Sequence, residues 1–138
     1  MQRTILIVED DVPLRKAVRE MLTLMGYRVV EAGSGCGARN ALAAHVPDLV
    51  CLDLALPECS GLELCEYVRS SPAHCNVPVL MMSERLRPSD RAMAFECGAD
   101  DYLPKPFSRE ELRVRIEALL QGSPPATADR VPACTPAS

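Results

Sequence analysis

Two hydrophobic rhythms alternate along the chain from Thr4 to Gln121. Short apolar runs such as Ile5-Leu6-Ile7-Val8, Leu49-Val50-Cys51-Leu52 and Val77-Pro78-Val79-Leu80-Met81-Met82 have no polar face. Between them lie stretches in which apolar residues recur every three or four positions. The first rhythm is that of strands buried on both sides, the second that of helices with one apolar stripe. It predicts strands at 4–8, 27–31, 48–53, 78–83 and 101–103, and helices at about 13–25, 36–45, 60–70, 88–97 and 108–121. Strand–helix alternation with short connections means right-handed crossovers and a parallel α/β sheet. Local signals mark the helix ends. Ser60-Gly61-Leu62-Glu63 and Ser108-Arg109-Glu110-Glu111 fit capping boxes, Asp11 fits the N-cap of the first helix, and Gly26 and Gly98 fit C-caps. Met21, Leu22 and Met25 fall on the core face of the first helix.

What stands at the strand ends turns this pattern toward chemistry. The first apolar run closes on Glu9-Asp10-Asp11, the third on Asp53 and the fourth on Ser83. The last strand delivers Lys105 between two prolines. In open parallel sheets the crevice beyond the carboxyl ends of the strands is where ligands bind. Three carboxylates meeting there repel one another unless a cation neutralises them. Oxygen ligands with one open side suit Mg²⁺, which keeps several of its waters. A carboxylate, a hydroxyl and a lysine beside such a cation make a site for a phosphoryl group.

Composition narrows the setting. A length of 138 residues suits one domain with one core. The net charge of −4 argues against sequence-independent nucleic-acid binding by this chain. No apolar run approaches the ~18 residues of a membrane span, and no signal peptide precedes the first strand, so the reading is a cytoplasmic protein without membrane contact. The seven cysteines form no C-x-x-C and read as small, reduced core residues, with Cys59 alone worth watching as a reactive thiol. His45 and His74 read as surface residues, and Gly33-Ser34-Gly35-Cys36-Gly37 as a helix entry rather than a phosphate loop. After the folded part, 1–121, residues 122–138 lack a periodic apolar face and read as a flexible tail or linker.

Glu9-Asp10, Asp53, Ser83 and Lys105-Pro106, together with Leu56-Pro57, Gly61 and Gly98-Ala99-Asp100-Asp101-Tyr102, resemble the response-regulator receiver domain of two-component signalling, the CheY-like family. Each motif alone is weak; in this order, each at a strand end, they are specific over about residues 4–121. The resemblance implies a flavodoxin-like, doubly wound five-stranded sheet, and its strand order 2-1-3-4-5 is carried over from the family. It implies that Asp53 accepts a phosphoryl group from a phosphohistidine on a sensor histidine kinase. Asp10, Asp53 and the Ala55 carbonyl would bind Mg²⁺ directly, and Glu9 through a water. Lys105, the Ser83 hydroxyl and the Glu84 N–H would hold the phosphoryl oxygens, and the Lys105–Pro106 bond would be cis. Ser83 would then move toward the phosphoryl group and Tyr102 rotate inward, a two-state element biased by local charge. The chain would promote its own phosphotransfer and dephosphorylation but act on no outside substrate.

Glu84 departs from the small residue usual after the Ser/Thr and would repel a phosphodonor; Ala55 and Arg85 flank the route of a hydrolytic water. The fourth and fifth helices resemble the dimer face of receivers attached to winged-helix transcription factors, with Arg91 and Glu111 matching one interchain pair and Asp101 and Arg115 another. This implies a phosphorylation-dependent homodimer, its output partner unspecified. Gly122 and Arg113 depart from that face, which otherwise reads as a solvated charged surface. Rival functions fare worse on the residues. An aspartate-nucleophile phosphatase wants a second acid where Ala55 stands. A flavin carrier wants a phosphate loop where Glu9-Asp10-Asp11 would repel it. A pseudo-receiver would have lost an acid or the lysine, and all are present.

Overall fold

The computed structural model describes residues 2–84 and 87–122. The expected tail from Ser123, Cys134 and Arg85 lie outside the described residues. Elements follow in the order β1 (Thr4–Val8), α1 (Val12–Leu24), β2 (Arg28–Ala32), α2 (Gly35–Ala44), β3 (Leu49–Asp53), α3 (Gly61–Ser70), β4 (Val79–Ser83), α4 (Pro88–Glu96), β5 (Asp101–Pro104) and α5 (Arg109–Leu120). The strands form one parallel sheet, ordered β2-β1-β3-β4-β5.

Because side chains alternate across a strand, each apolar run feeds two cores. Leu6, Val8, Val50, Leu52, Val79 and Met81 face α2, α3 and α4, which contribute Leu42, Leu64, Val68 and Ala94. Ile5, Ile7, Leu49, Cys51, Leu80 and Met82 face α1 and α5, which contribute Val18, Leu22, Leu112 and Ile116. β3 and β4 are buried at every position, which is why their sequences carry no polar face.

The cap signals act as read. Both capping boxes form, Asp11 caps α1 by accepting from the Leu14 N–H, and Ser34 caps α2 by accepting from the Gly37 N–H. Gly26 and Gly98 take φ of 96° and 107°, the left-handed region that ends a helix cheaply only with glycine.

One tether was not foreseen. The Arg69 guanidinium, 7% exposed, lies 2.6 Å from Asp100 Oδ2 and donates to the carbonyls of Val77 at 2.7 Å and Gly98 at 3.0 Å. Asp100 Oδ2 also accepts the Val79 N–H at 2.7 Å. One ion pair thus ties the end of α3 and the α4–β5 turn to the entry of β4. His74, expected at the surface, is buried: Nδ1 lies 2.7 Å from Ser71 Oγ and Nε2 3.1 Å from the His45 carbonyl.

Candidate functional site

All five strands run the same way, so the residues that close them gather at one sheet edge. Glu9, just beyond β1, is 1% exposed, and Asp53, the last residue of β3, is 5% exposed. Asp10 is exposed. One carboxylate oxygen from each of the three lies within 4.8 Å of the others. Lys105 reaches in from the turn after β5: its Nζ is 2.7 Å from Glu9 Oε1 and 3.4 Å from Asp53 Oδ1. The peptide bond that follows it, to Pro106, is cis.

Backbone groups hold this cluster. The Ala55 N–H donates to Asp53 Oδ1 at 3.2 Å, and the Asp11 N–H to Glu9 Oε2 at 3.2 Å. The Lys105 N–H donates to the Ser83 carbonyl at 2.8 Å, joining the lysine's turn to the end of β4. Gly61 opens α3 directly against the Asp53 carbonyl and the Leu54 backbone, where any Cβ would collide. Arg15, one turn into α1, donates from Nη1 to the Glu9 carbonyl at 2.9 Å and from Nε to Glu31 Oε1 at 3.2 Å.

Burial pushes the Glu9 carboxyl up to about 7, with the Lys105 hydrogen bond pulling the other way. Burial also opposes charge on Lys105, but its hydrogen bond to Glu9 and the charges of Asp53 and Glu9 outweigh that and raise its pKa. Among the described residues the site therefore holds more acid than Lys105 neutralises, and its clustered ligands are carboxylate oxygens. That composition fits a hard divalent cation.

The residues singled out for the site come together: Glu9, Asp10, Asp53 and Lys105 directly, with Ser83 at the end of the neighbouring strand and Ala55 in the loop after Asp53. Glu84 is exposed and lines a cavity of about 410 Å³ with Asp11, Leu14, Met21, Lys105, Pro106 and Phe107. Burial and then Glu58 and Glu63 push the Cys59 pKa up, away from the thiolate form that a reactive cysteine uses.

Two features of the α4–β5–α5 surface differ from expectation. Tyr102, expected to turn inward on phosphorylation, is already 2% exposed and packed in the core on the α4 side. Asp101 and Arg115, matched to an interchain pair, meet within the chain at 2.8 Å, and Asp101 is 1% exposed. Arg91 is exposed, its guanidinium 5.8 Å from the centre of the Phe95 ring. Glu111 is spent partly on its own helix, accepting the Ser108 N–H at 2.9 Å. Sequence reasoning missed Arg15 and Arg69, because their partners are carbonyls and acids supplied by other elements.

The family model for the response regulator receiver domain matches residues 5–117. Response regulator MprA of Mycobacterium sp. (strain KMS) is 40% identical over 131 residues, 95% of this chain and 56% of that protein. MprA of Mycolicibacterium vanbaalenii is 41% identical over 121 residues, 88% of this chain and 52% of that protein. The chain thus spans about half the length of the curated relatives it matches. Among solved structures, a putative response regulator from Chloroflexus aurantiacus superposes with a TM-score of 0.84 at 36% identity, covering 88% of this chain and 99% of that one. The chemotaxis response regulator CheY4 of Vibrio cholerae gives 0.83 at 26% identity, covering 86% and 99%.

Proposed function

The chain belongs to the response-regulator receiver family, and from that premise we propose that Asp53 is its phosphoacceptor in a Mg²⁺-dependent transfer from a sensor histidine kinase. Family membership makes the chain a phosphorylation-dependent signalling switch. The finer reading rests on one observation: Lys105 Nζ stands between Glu9 and Asp53, 2.7 and 3.4 Å from their oxygens, with Asp10 in the same cluster.

Asp10, Asp53, Glu9 and the Ala55 carbonyl would hold the metal, whose charge offsets the crowded carboxylates and the incoming phosphoryl oxygens. The Asp53 oxygen not engaged by the Ala55 N–H attacks phosphorus. The P–N bond of the donor breaks, its electron pair stays on the imidazole nitrogen, which takes a proton from solvent, and an aspartyl phosphate remains. Lys105 exchanges its carboxylate partners for a phosphoryl oxygen, and the Ser83 hydroxyl and Glu84 N–H donate to others. The chain so described turns over its own phosphoryl group and no external substrate, and the surface of α4, β5 and α5 carries the signal to a partner or a second copy.

Acetyl phosphate or phosphoramidate with Mg²⁺ should add one acid-stable, base-labile phosphoryl group, and Asp53→Asn should abolish it. Full labelling of that variant by mass spectrometry would end the assignment.

A further inference from the structure

Arg15 holds the acid loop from behind. Its Nη1 hydrogen-bonds the carbonyl of Glu9, so it grips the peptide that links Glu9 to Asp10, the two adjacent acids of the cluster. Its Nε is anchored on Glu31, on the neighbouring strand β2, which also lies 3.5 Å from Arg19 Nε. The Arg15 side chain is only 21% exposed, and its guanidinium fills the space over Gly33: a Cβ there would stand 2.7 Å from Arg15 Nη1. Gly33 is not among the glycines with positive φ, so its backbone does not require glycine. What the missing side chain leaves is room for the arginine.

Two consequences of this arrangement oppose each other. As a positive charge near the acids, Arg15 should weaken cation binding through Coulomb repulsion. As the clamp on the Glu9–Asp10 peptide, it should strengthen binding by fixing the carboxylates before the metal arrives, as outer groups around a metal site do. The charge is already matched by Glu31 at 3.2 Å, which blunts its reach. The clamp has no such counterweight. We infer that Arg15 is a positioning residue for the divalent-cation site, seated by Gly33, and that its net effect is to tighten Mg²⁺ binding. The inference rests on the metal reading given above.

The test titrates Mg²⁺ calorimetrically into the intact chain and into Arg15→Gln, Gly33→Ala, their double variant and Asp10→Ala. Arg15→Gln should weaken Mg²⁺ about tenfold, the lower end of the range for groups that support metal ligands. Gly33→Ala keeps the charge but moves the guanidinium, and should weaken binding by a similar factor. The double variant should be no weaker than either single one, since both break the same clamp. Phosphorylation by acetyl phosphate should need more Mg²⁺ but reach nearly the same maximal rate. Tighter binding in Arg15→Gln would mean that charge dominates and would overturn the inference, as would unchanged binding in Gly33→Ala. If Arg15→Gln fails to fold, Gly33→Ala decides alone, because only the far end of a flexible side chain must shift to admit its methyl. If Asp10→Ala binds Mg²⁺ like the unaltered chain, the metal lies elsewhere, and both the site reading and this inference fall. Loss of binding in Asp10→Ala with normal binding in the Arg15 and Gly33 variants sinks the inference alone.

Discussion

Glu9 is an acid kept from water beside a lysine that Asp53 also claims. Its folded pKa of about 7 stands above the ordinary 4.5, so between those values the folded chain holds a proton that the unfolded chain has released. The stability tied to this group is therefore whole below about pH 4.5 and is lost as pH rises through 7. In chelator, the urea midpoint should fall between pH 5 and 8, and Glu9→Gln should flatten that fall. An unchanged slope in the variant would assign it to another group. Glu84 poses a different question. It shares a cavity wall with Asp11 beside Lys105, so an anionic donor entering there meets two acids. Glu84→Ala should speed phosphorylation by acetyl phosphate about two- to fivefold, the range expected of one solvent-screened charge. Equal rates would show that this departure from the family pattern has no kinetic weight.

At the scale of elements, the functional edge depends on what happens at the opposite end of the sheet. Arg69 and Asp100 tie α3, the α4–β5 turn and the entry of β4 into one unit, and so fix how β4 and β5 deliver Ser83 and Lys105. The pair is almost wholly desolvated, so breaking it leaves the Asp100 carboxylate buried without its cation. Arg69→Met should cost about 3–5 kcal/mol in denaturant unfolding, the range for removing one partner of a buried ion pair. Adding Asp100→Asn, which removes the orphaned charge and keeps an acceptor for the Val79 N–H, should recover part of that loss. A cost below about 1 kcal/mol, the level of an exposed pair, would mean that water reaches the site.

For the whole molecule, the surface of α4, β5 and α5 proposed to carry the signal has Tyr102 inside and Arg115 engaged with Asp101 of its own chain. A dimer through α4, β5 and α5 that paired Asp101 with Arg115 between chains would therefore trade an existing contact rather than form it anew. Such trades are nearly neutral in energy, which leaves Arg91, Glu111 and the exposed Met93 and Val114 to favour association. Beryllofluoride with Mg²⁺ should make the chain sediment faster, less so at high salt. Arg91→Glu should block the shift, and adding Glu111→Arg should restore part of it, short of full recovery because the α5 capping box is lost. A chain that stays monomeric at high micromolar concentration with the site saturated would assign this face to another partner.

The sequence by itself determined the elements and which residues gather at one edge of the sheet. Strands and helices fall within one residue of the predicted bounds, because alternation, caps such as Ser60 and Ser108, and glycines at positive φ act over four residues or fewer. The acids, Ser83 and Lys105 were legible because a parallel sheet sends every strand end to one edge, so position along the chain already gives position in space. Only the tertiary structure decided which charges pair. Asp100 finds Arg69 across 31 residues, the Gly35 N–H finds Glu58 across 23, and Arg15 finds a carbonyl, a partner every residue offers. It also decided that Asp101 serves its own chain, that His74 is inside and that Tyr102 is already turned in. Local energies fix the elements, but these contacts depend on how far each crossover carries one element past another, and no four-residue window holds that information.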